Sequence, residues 1–66
     1  MKVTINGGAV ELPGEATVGE AVRTLTAMTS GVAVAVNGEV VSRSAWESTR
    51  LSESDLVEVL TAVQGG

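Results

Sequence analysis

Residues 32–41 read Val-Ala-Val-Ala-Val-Asn-Gly-Glu-Val-Val. The valines of the first half recur at every second position, and β-branched residues with this period favour a strand that places them all on one side. The pair Asn37-Gly38 that follows is typical of a two-residue hairpin turn, because both residue types accept positive backbone angles. We therefore predict a strand over residues 32–36 and a short antiparallel return strand that begins at Val40.

The segment before this hairpin predicts a second one. Residues 2–6 alternate between apolar and polar, residues 9–12 form another short apolar run, and Asn6-Gly7-Gly8 between them indicates a tight turn. Gly7-Gly8 is not followed directly by a helix, so it lacks the context of a phosphate-binding loop. Pro13-Gly14 ends the second strand, because proline cannot donate to a strand ladder.

A helix is predicted between the two hairpins. Thr17-Val18-Gly19-Glu20 fits a capping box, in which the Thr and Glu side chains each bond the other residue's amide. We expect the helix to run from Thr17 to Thr29 and to stop at Ser30-Gly31. Its predicted buried stripe comprises Val18, Ala21, Val22, Leu25 and Met28.

The remaining residues complete an α+β pattern. Residues 42–47 predict a loop with one helical turn that starts at a Ser cap, and residues 51–55 predict a polar turn before a final strand over 56–63. Trp46, the only aromatic residue, is predicted to cap one end of the small core. We predict a single domain over residues 1–66, in which a mixed sheet of about five short strands packs on one main helix.

Composition excludes several kinds of function. The formal charge is −4 and the four basic residues are scattered, which argues against nucleic acid and membrane partners and favours a protein partner with a basic groove. Cys and His are both absent, which excludes thiol redox chemistry, the usual zinc sites and Ser-His nucleophiles. Glu53, Asp55 and Glu58 are interpreted as a solvated edge rather than a metal site. No apolar stretch is long enough to span a bilayer, so we expect a cytoplasmic protein. The lack of a catalytic set of side chains predicts that the chain is not an enzyme.

Two stretches carry a resemblance to a known family. Residues 36–46 read Val-Asn-Gly-Glu-Val-Val-Ser-Arg-Ser-Ala-Trp, and the final residues 63–66 read Val-Gln-Gly-Gly. With these stretches, and over nearly its whole length, the sequence resembles the ThiS-type sulfur carriers of thiamine biosynthesis. This resemblance implies the β-grasp, or ubiquitin-like, fold with a flexible tail over residues 64–66. Two positions depart from the family pattern: members commonly have Gly where this chain has Ser54, and often have Pro at the position of Ser42.

The resemblance also implies a function. In that family an E1-like adenylyltransferase of the ThiF type uses ATP to adenylate the terminal glycine, here Gly66, and the adenylate is converted to a thiocarboxylate. The carrier then delivers sulfur to a thiazole synthase of the ThiG type, and a cysteine desulfurase system contributes indirectly. The chain itself would bind no cofactor. Gly65 and Gln64 would form the tail that carries Gly66.

The final strand has two distinct sides. Val57, Val59, Thr61 and Val63 alternate with a second set and are predicted to face the core. The second set would form an exposed docking surface beside the tail; it comprises Leu56, Glu58, Leu60 and Ala62. The alternative is that these leucines cover a helix or a loop. Arg43 is interpreted as a loop anchor that bonds carbonyls or acids.

Three other functions stay open. The carrier could supply sulfur for molybdopterin, cysteine or tRNA thiolation instead of thiazole. The domain could also be a ubiquitin-like protein modifier that is joined to lysines, or an interaction module whose tail has no chemical role.

Overall fold

The computed structural model of the protein describes residues 1–27 and 30–62. All the predicted elements form there, and we label the strands and the helix in chain order. Their bounds are β1 Lys2–Ile5, β2 Gly8–Glu11, α1 Val18–Leu25, β3 Val32–Val36, β4 Glu39–Val41, a 3₁₀ turn Arg43–Ala45 and β5 Leu56–Thr61.

The five strands form one mixed sheet in the order β2-β1-β5-β3-β4. The two hairpins, β1–β2 and β3–β4, are antiparallel, and the final strand β5 lies between them. β5 is parallel to β1 and antiparallel to β3. The predicted α+β class, with a mixed five-stranded sheet and one helix, is confirmed.

Both hairpin turns have the same backbone conformation. Asn6 and Asn37 have φ of 50°, and the glycines that follow them, Gly7 and Gly38, have φ of 85°. Two consecutive left-handed residues define the turn whose twist matches that of the flanking strands. The interpretation of both Asn-Gly pairs as turns is confirmed.

The core is small and consists mostly of valines. Its buried members come from every layer of the fold: Val3, Ile5, Leu12, Ala16, Val18, Ala21, Val22, Val34, Trp46, Leu51, Val57 and Val59. Trp46 is only 4% exposed, and its indole N–H donates to the Val41 carbonyl at 3.1 Å, as a buried indole requires. The predicted place of Trp46 in the core is confirmed.

The helix begins as predicted but ends earlier. The Glu20 amide donates to Thr17 Oγ1 at 3.3 Å, and the Thr17 amide donates to the Glu20 carboxylate at 3.2 Å, which completes the capping box. The predicted end at Thr29 is wrong, because α1 ends at Leu25 and Thr26 is already extended, with φ of −149°. The Thr24 hydroxyl donates to the Ala21 carbonyl at 2.7 Å, a local bond of the kind that slightly destabilises a helix.

The early end changes the predicted helix face. Val18, Ala21 and Val22 are buried as expected, whereas Leu25 is 49% exposed, so its predicted burial is wrong. Met28 and Thr29 lie outside the described residues. Gly31 has φ of 71° but lies well past the helix end, where it leads into β3 rather than capping α1.

The segment after β4 is anchored by two cationic side chains. The Arg43 guanidinium lies over the Trp46 ring, 4.7 Å from its centroid, in a cation–π contact. Arg23 of α1 donates to both carboxylate oxygens of Glu47, at 2.8 and 3.2 Å. Gly19 leaves room for that carboxylate, because a Cβ there would collide with it. Arg43 thus anchors its loop, and it does so through the indole.

Both departures from the family pattern have a structural explanation. Ser42 precedes the 3₁₀ turn with φ of −66° and ψ of 151°, the conformation that proline prefers, so either residue fits. Its side chain makes no capping bond, which makes the predicted Ser cap wrong. Ser54 has φ of 71°, where glycine is favoured, and its amide is fixed by a 2.7 Å bond to the Lys2 carbonyl.

Replacing Ser54 by Gly should stabilise the domain. A left-handed non-glycine residue costs roughly 1–2 kcal/mol, and the added freedom of glycine in the unfolded chain offsets roughly 0.4–1 kcal/mol of the relief. We expect Ser54→Gly to raise the free energy of unfolding by about 0.5–1 kcal/mol in urea titrations. Ser52→Gly in the same turn is the control, since Ser52 has no positive φ and should lose stability. Equal effects of the two substitutions would contradict the explanation.

Candidate functional site

The predicted attachment residue Gly66 follows the central strand β5 in the sequence. β5 pairs with β3 through Val32–Thr61, and the Ala62 amide then donates to the Gly31 carbonyl at 2.6 Å. The chain therefore leaves the middle of the sheet rather than one of its edges. Val63, Gln64, Gly65 and Gly66 lie outside the described residues.

The two sides of β5 separate as the alternation predicted, with one exception. Val57 and Val59 are buried, and Leu56 and Leu60 are 56% and 71% exposed. Thr61 is exposed, so its predicted core position is wrong. Its cross-strand partner Val32 is only partly buried, which shows that the core ends near this pair.

An apolar surface covers the side of the sheet that faces away from the core. We call it the outer face, and it comprises Leu56, Glu58 and Leu60 of β5, Ala33 and Ala35 of β3 and Val40 of β4. Val40 is 80% exposed, and the leucines are exposed as well, so the alternative that they cover a helix or a loop is wrong. Ala62, the fourth residue of the predicted docking set, is also exposed.

Two shallow grooves lie on this face, and Glu58 borders both. One, of about 140 Å³, lies between Ala33, Ala35, Val40 and Leu60. The other, of about 310 Å³, runs past Leu56 towards the Asn37-Gly38 turn. Sequence reasoning missed the residues from β3 and β4. The alternation within β3 places Ala33 and Ala35 opposite the buried Val34, but assigning them to this face requires knowing that β3 lies next to β5.

The acids near the last turn have structural partners. The Lys2 amide donates to Glu53 at 3.2 Å, and Asp55 accepts bonds from the Ser52 amide and the Asn37 side chain, at 2.7 and 3.0 Å. Within residues 1–27 and 30–62, no group of three potential ligands could hold a metal ion. Glu58 lies on the exposed side of β5 among apolar neighbours.

The shifted pKa values of the described residues belong to ion pairs away from the outer face. A hydrogen bond from Arg23 lowers the pKa of Glu47, and the same bond raises the pKa of Arg23. The amino group of Met1 lowers the pKa of Glu11 through a 2.9 Å hydrogen bond. All three groups are exposed, so these shifts reflect surface pairing and do not indicate a catalytic acid or base.

A third groove lies on the helix side of the domain and was not predicted. It has a volume of about 310 Å³ and is bordered by the Arg23–Glu47 pair and by Arg43 with Trp46. The charged groups that border it already pair with one another or stack on the indole.

None of the helices in the described part of the chain is long and apolar enough to cross a membrane.

The sequence and the structure were then compared with known proteins. A sequence model of the ThiS family matches residues 3–66. A search of curated proteins found no match.

Solved structures give the same relationship. The crystal structure of the thiamine biosynthesis protein ThiS from Geobacter metallireducens is 33% identical, with a TM-score of 0.80 and complete coverage of both chains. The solution structure of a thiamine biosynthesis protein from the same organism is also 33% identical, with a TM-score of 0.78, and the match covers 100% of this chain and 88% of that one.

A more distant structure shares the fold alone. SAMP1 from Haloferax volcanii is 18% identical, with a TM-score of 0.61, and the match covers 98% of this chain and 97% of that one.

The predicted β-grasp fold is confirmed by the ThiS structures. The family model and the identity over the full chain length agree, and the chain belongs to the ThiS family.

Proposed function

We propose that this protein is a cytoplasmic sulfur carrier of thiamine biosynthesis and that its cargo is held on the carboxyl group of Gly66. The observation that carries the proposal is the family match, which extends over residues 3–66 and so includes the Gly65-Gly66 pair. The relatives named as thiamine biosynthesis proteins favour thiazole as the product that receives the sulfur.

The proposed chemistry uses the main chain and needs no catalytic side chain in this protein. An α-carboxyl group ordinarily titrates at about pH 3.3–3.7, so it is ionised at neutral pH and can attack the α-phosphate of ATP. Pyrophosphate leaves and an acyl-adenylate forms, which replaces an oxide leaving group by AMP. The terminal sulfur of a persulfide from the cysteine desulfurase system then displaces AMP and forms an acyl disulfide. A thiol of the partner protein attacks the other sulfur of that disulfide, which releases the thiocarboxylate and leaves a disulfide on the partner. The thiocarboxylate then donates sulfur to a thiazole synthase. The ATP is bound by an E1-like adenylyltransferase.

The outer face suits a partner that must bind the domain while it modifies the tail. Leu56, Leu60 and Val40 expose apolar surface beside the strand from which the tail leaves. Exposed apolar surface of this kind, rimmed by polar groups, is typical of protein–protein interfaces. Docking there would keep the tail within reach of the partner's nucleotide, and the negative charge of the domain would favour a basic partner.

Other sulfur acceptors are the second candidate, since molybdopterin, cysteine or tRNA thiolation would use the same carboxylate chemistry. A protein modifier would use it too, but would end in an isopeptide bond. The likeness to SAMP1 supports neither alternative, because at 18% identity it shows the fold alone. A deletion strain that requires thiamine would favour thiazole, and a strain that requires another product would contradict that choice.

Protein isolated from a sulfur-replete host should contain a heavier fraction. We expect intact-mass spectrometry to show a species in which one oxygen is replaced by sulfur, and peptide mapping to place it at Gly66. Chain lacking Gly66 should show no such species. Failure of the purified chain to form an adenylate or a thiocarboxylate with any E1-like enzyme would contradict the proposal.

Gly65→Ala should impair activation and leave the fold intact. Glycine has no Cβ to collide with the walls of a narrow channel, and it has access to backbone angles that alanine avoids. We expect adenylate formation, measured by pyrophosphate release, to fall at least about tenfold, which corresponds to about 1.4 kcal/mol. Gly14→Ala is the matched control, since a Cβ at Gly14 meets nothing within 4 Å. Equal activity of the two variants would argue against a channel.

A polar substitution on the outer face should weaken docking. Leu60→Gln removes an apolar side chain whose full burial is worth roughly 1.5–3 kcal/mol, so we expect the KM of the adenylyltransferase for the carrier to rise about tenfold or more. Leu25→Gln is the control, because Leu25 is an exposed leucine on α1. A larger effect at Leu25 than at Leu60 would place the docking surface elsewhere.

A further inference from the structure

The side chain of Asn6 takes the place of a pair of main-chain hydrogen bonds between β1 and β5. The ladder between these strands pairs Thr4 with Leu56 and Ile5 with Val57, and the Asn6 amide still donates to the Val57 carbonyl at 2.9 Å. The main chain then turns away at Asn6-Gly7 towards β2. Beyond Val57 the backbone of β1 can no longer pair with β5.

The Asn6 carboxamide bonds the next residue of β5 that faces β1. Its Oδ1 accepts from the Val59 amide at 2.8 Å, and its Nδ2 donates to the Val59 carbonyl at 3.1 Å. The two main-chain groups of Val59 fix the orientation of the carboxamide, since the opposite orientation would set donor against donor and acceptor against acceptor. Asn6 thereby holds Val59 as a neighbouring strand would.

This bond pair lies close to the end of the described chain. On the β3 side, β5 is held as far as Ala62, whose amide donates to Gly31. On the β1 side, the Asn6 carboxamide extends the hold from Val57 to Val59. β5 is thus hydrogen-bonded on both sides as far as Val59, three residues before Ala62. These bonds set the direction of β5 at the end of the described chain.

We propose that Asn6 is a positioning residue for the tail. Its carboxamide fixes the path of β5 out of the sheet, so that residues 63–66 reach the partner's nucleotide from a defined start. The inference rests on the proposed function, because it assumes that the partner enzyme acts on the tail. Each backbone residue that must otherwise be ordered on binding weakens an equilibrium by roughly 5- to 30-fold.

Asn37 supplies a matched comparison within the same chain. It occupies the same turn position with the same φ of 50°, and its side chain also bonds β5. Its Oδ1 accepts from the Leu56 amide at 3.0 Å, and its Nδ2 donates to Asp55 at 3.0 Å. It therefore holds the start of β5, whereas Asn6 holds the strand near the tail.

The test compares Asn6→Gly with Asn37→Gly, since glycine keeps the positive φ and removes only the carboxamide. Amide hydrogen exchange followed by NMR should accelerate at Val59 and Ala62 in Asn6→Gly, and at Leu56 in Asn37→Gly. With the E1-like adenylyltransferase and ATP, Asn6→Gly should raise the KM for the carrier roughly tenfold at similar kcat. This rise should exceed that of Asn37→Gly, whose residue borders the outer-face groove at Leu56. Asn6→Asp keeps the acceptor for the Val59 amide but sets a carboxylate oxygen against the Val59 carbonyl, so it should not restore the KM of wild type.

Two results would overturn the inference. One is unchanged exchange at Ala62 in Asn6→Gly, which would mean that the carboxamide does not hold the strand end. The other is an equal rise of KM in the two glycine variants, which would assign the effect to general loss of stability. Failure of the proposed function would appear differently, as a wild-type chain that forms no adenylate.

Discussion

The two-sided pairing of β5 is the constraint on which the rest of the domain depends. β1 and β5 come from opposite ends of the described chain, yet they are parallel neighbours in the middle of the sheet. Each of the two hairpins has its own turn, but neither can bury its apolar face without the strand between them. The final strand therefore joins the two halves, and the position of its end at Thr61 follows from the fold of the whole domain.

In each Asn-Gly turn the asparagine has two roles in the pairing of β5. Asn6 and Asn37 first accept the left-handed backbone that closes each hairpin. Their carboxamides then bond the main chain of β5 at two different places. Glycine at these positions would satisfy the backbone requirement alone, so the second role is a reason for asparagine that the turn does not supply.

Local patterns predicted much of the fold, because they reflect interactions between residues that are close in sequence. The alternating valines of β3, the capping box at Thr17 and both Asn-Gly turns all form where the sequence placed them. The end of α1 was mispredicted because the apolar period continues past Leu25 to Met28, whereas the backbone is already extended at Thr26. The apolar spacing indicates which side of a helix would be buried and does not determine where the helix ends.

The candidate site was predictable in outline for the same reason. The alternation along β5 correctly predicted that Leu56 and Leu60 are exposed. It could not show which neighbouring strands complete the outer face. It also could not reveal the exposure of Thr61, which depends on where the core ends across β3. The bond between Asn6 and Val59 joins residues 53 positions apart, and no local pattern encodes a contact at that separation.

The small size of the domain accounts for the two different faces of its sheet. A 66-residue chain buries only about 60% of the surface it exposes when unfolded, and here a single helix covers one face of the sheet. The other face keeps Leu56, Leu60 and Val40 in contact with solvent, which in a monomer favours unwanted association. The edge strands β2 and β4 have four and three residues, and short edges of this kind limit pairing with other chains. Glu58 lies among the leucines, and its charge together with the net charge of −4 would disfavour self-association through the outer face and favour a partner of opposite charge.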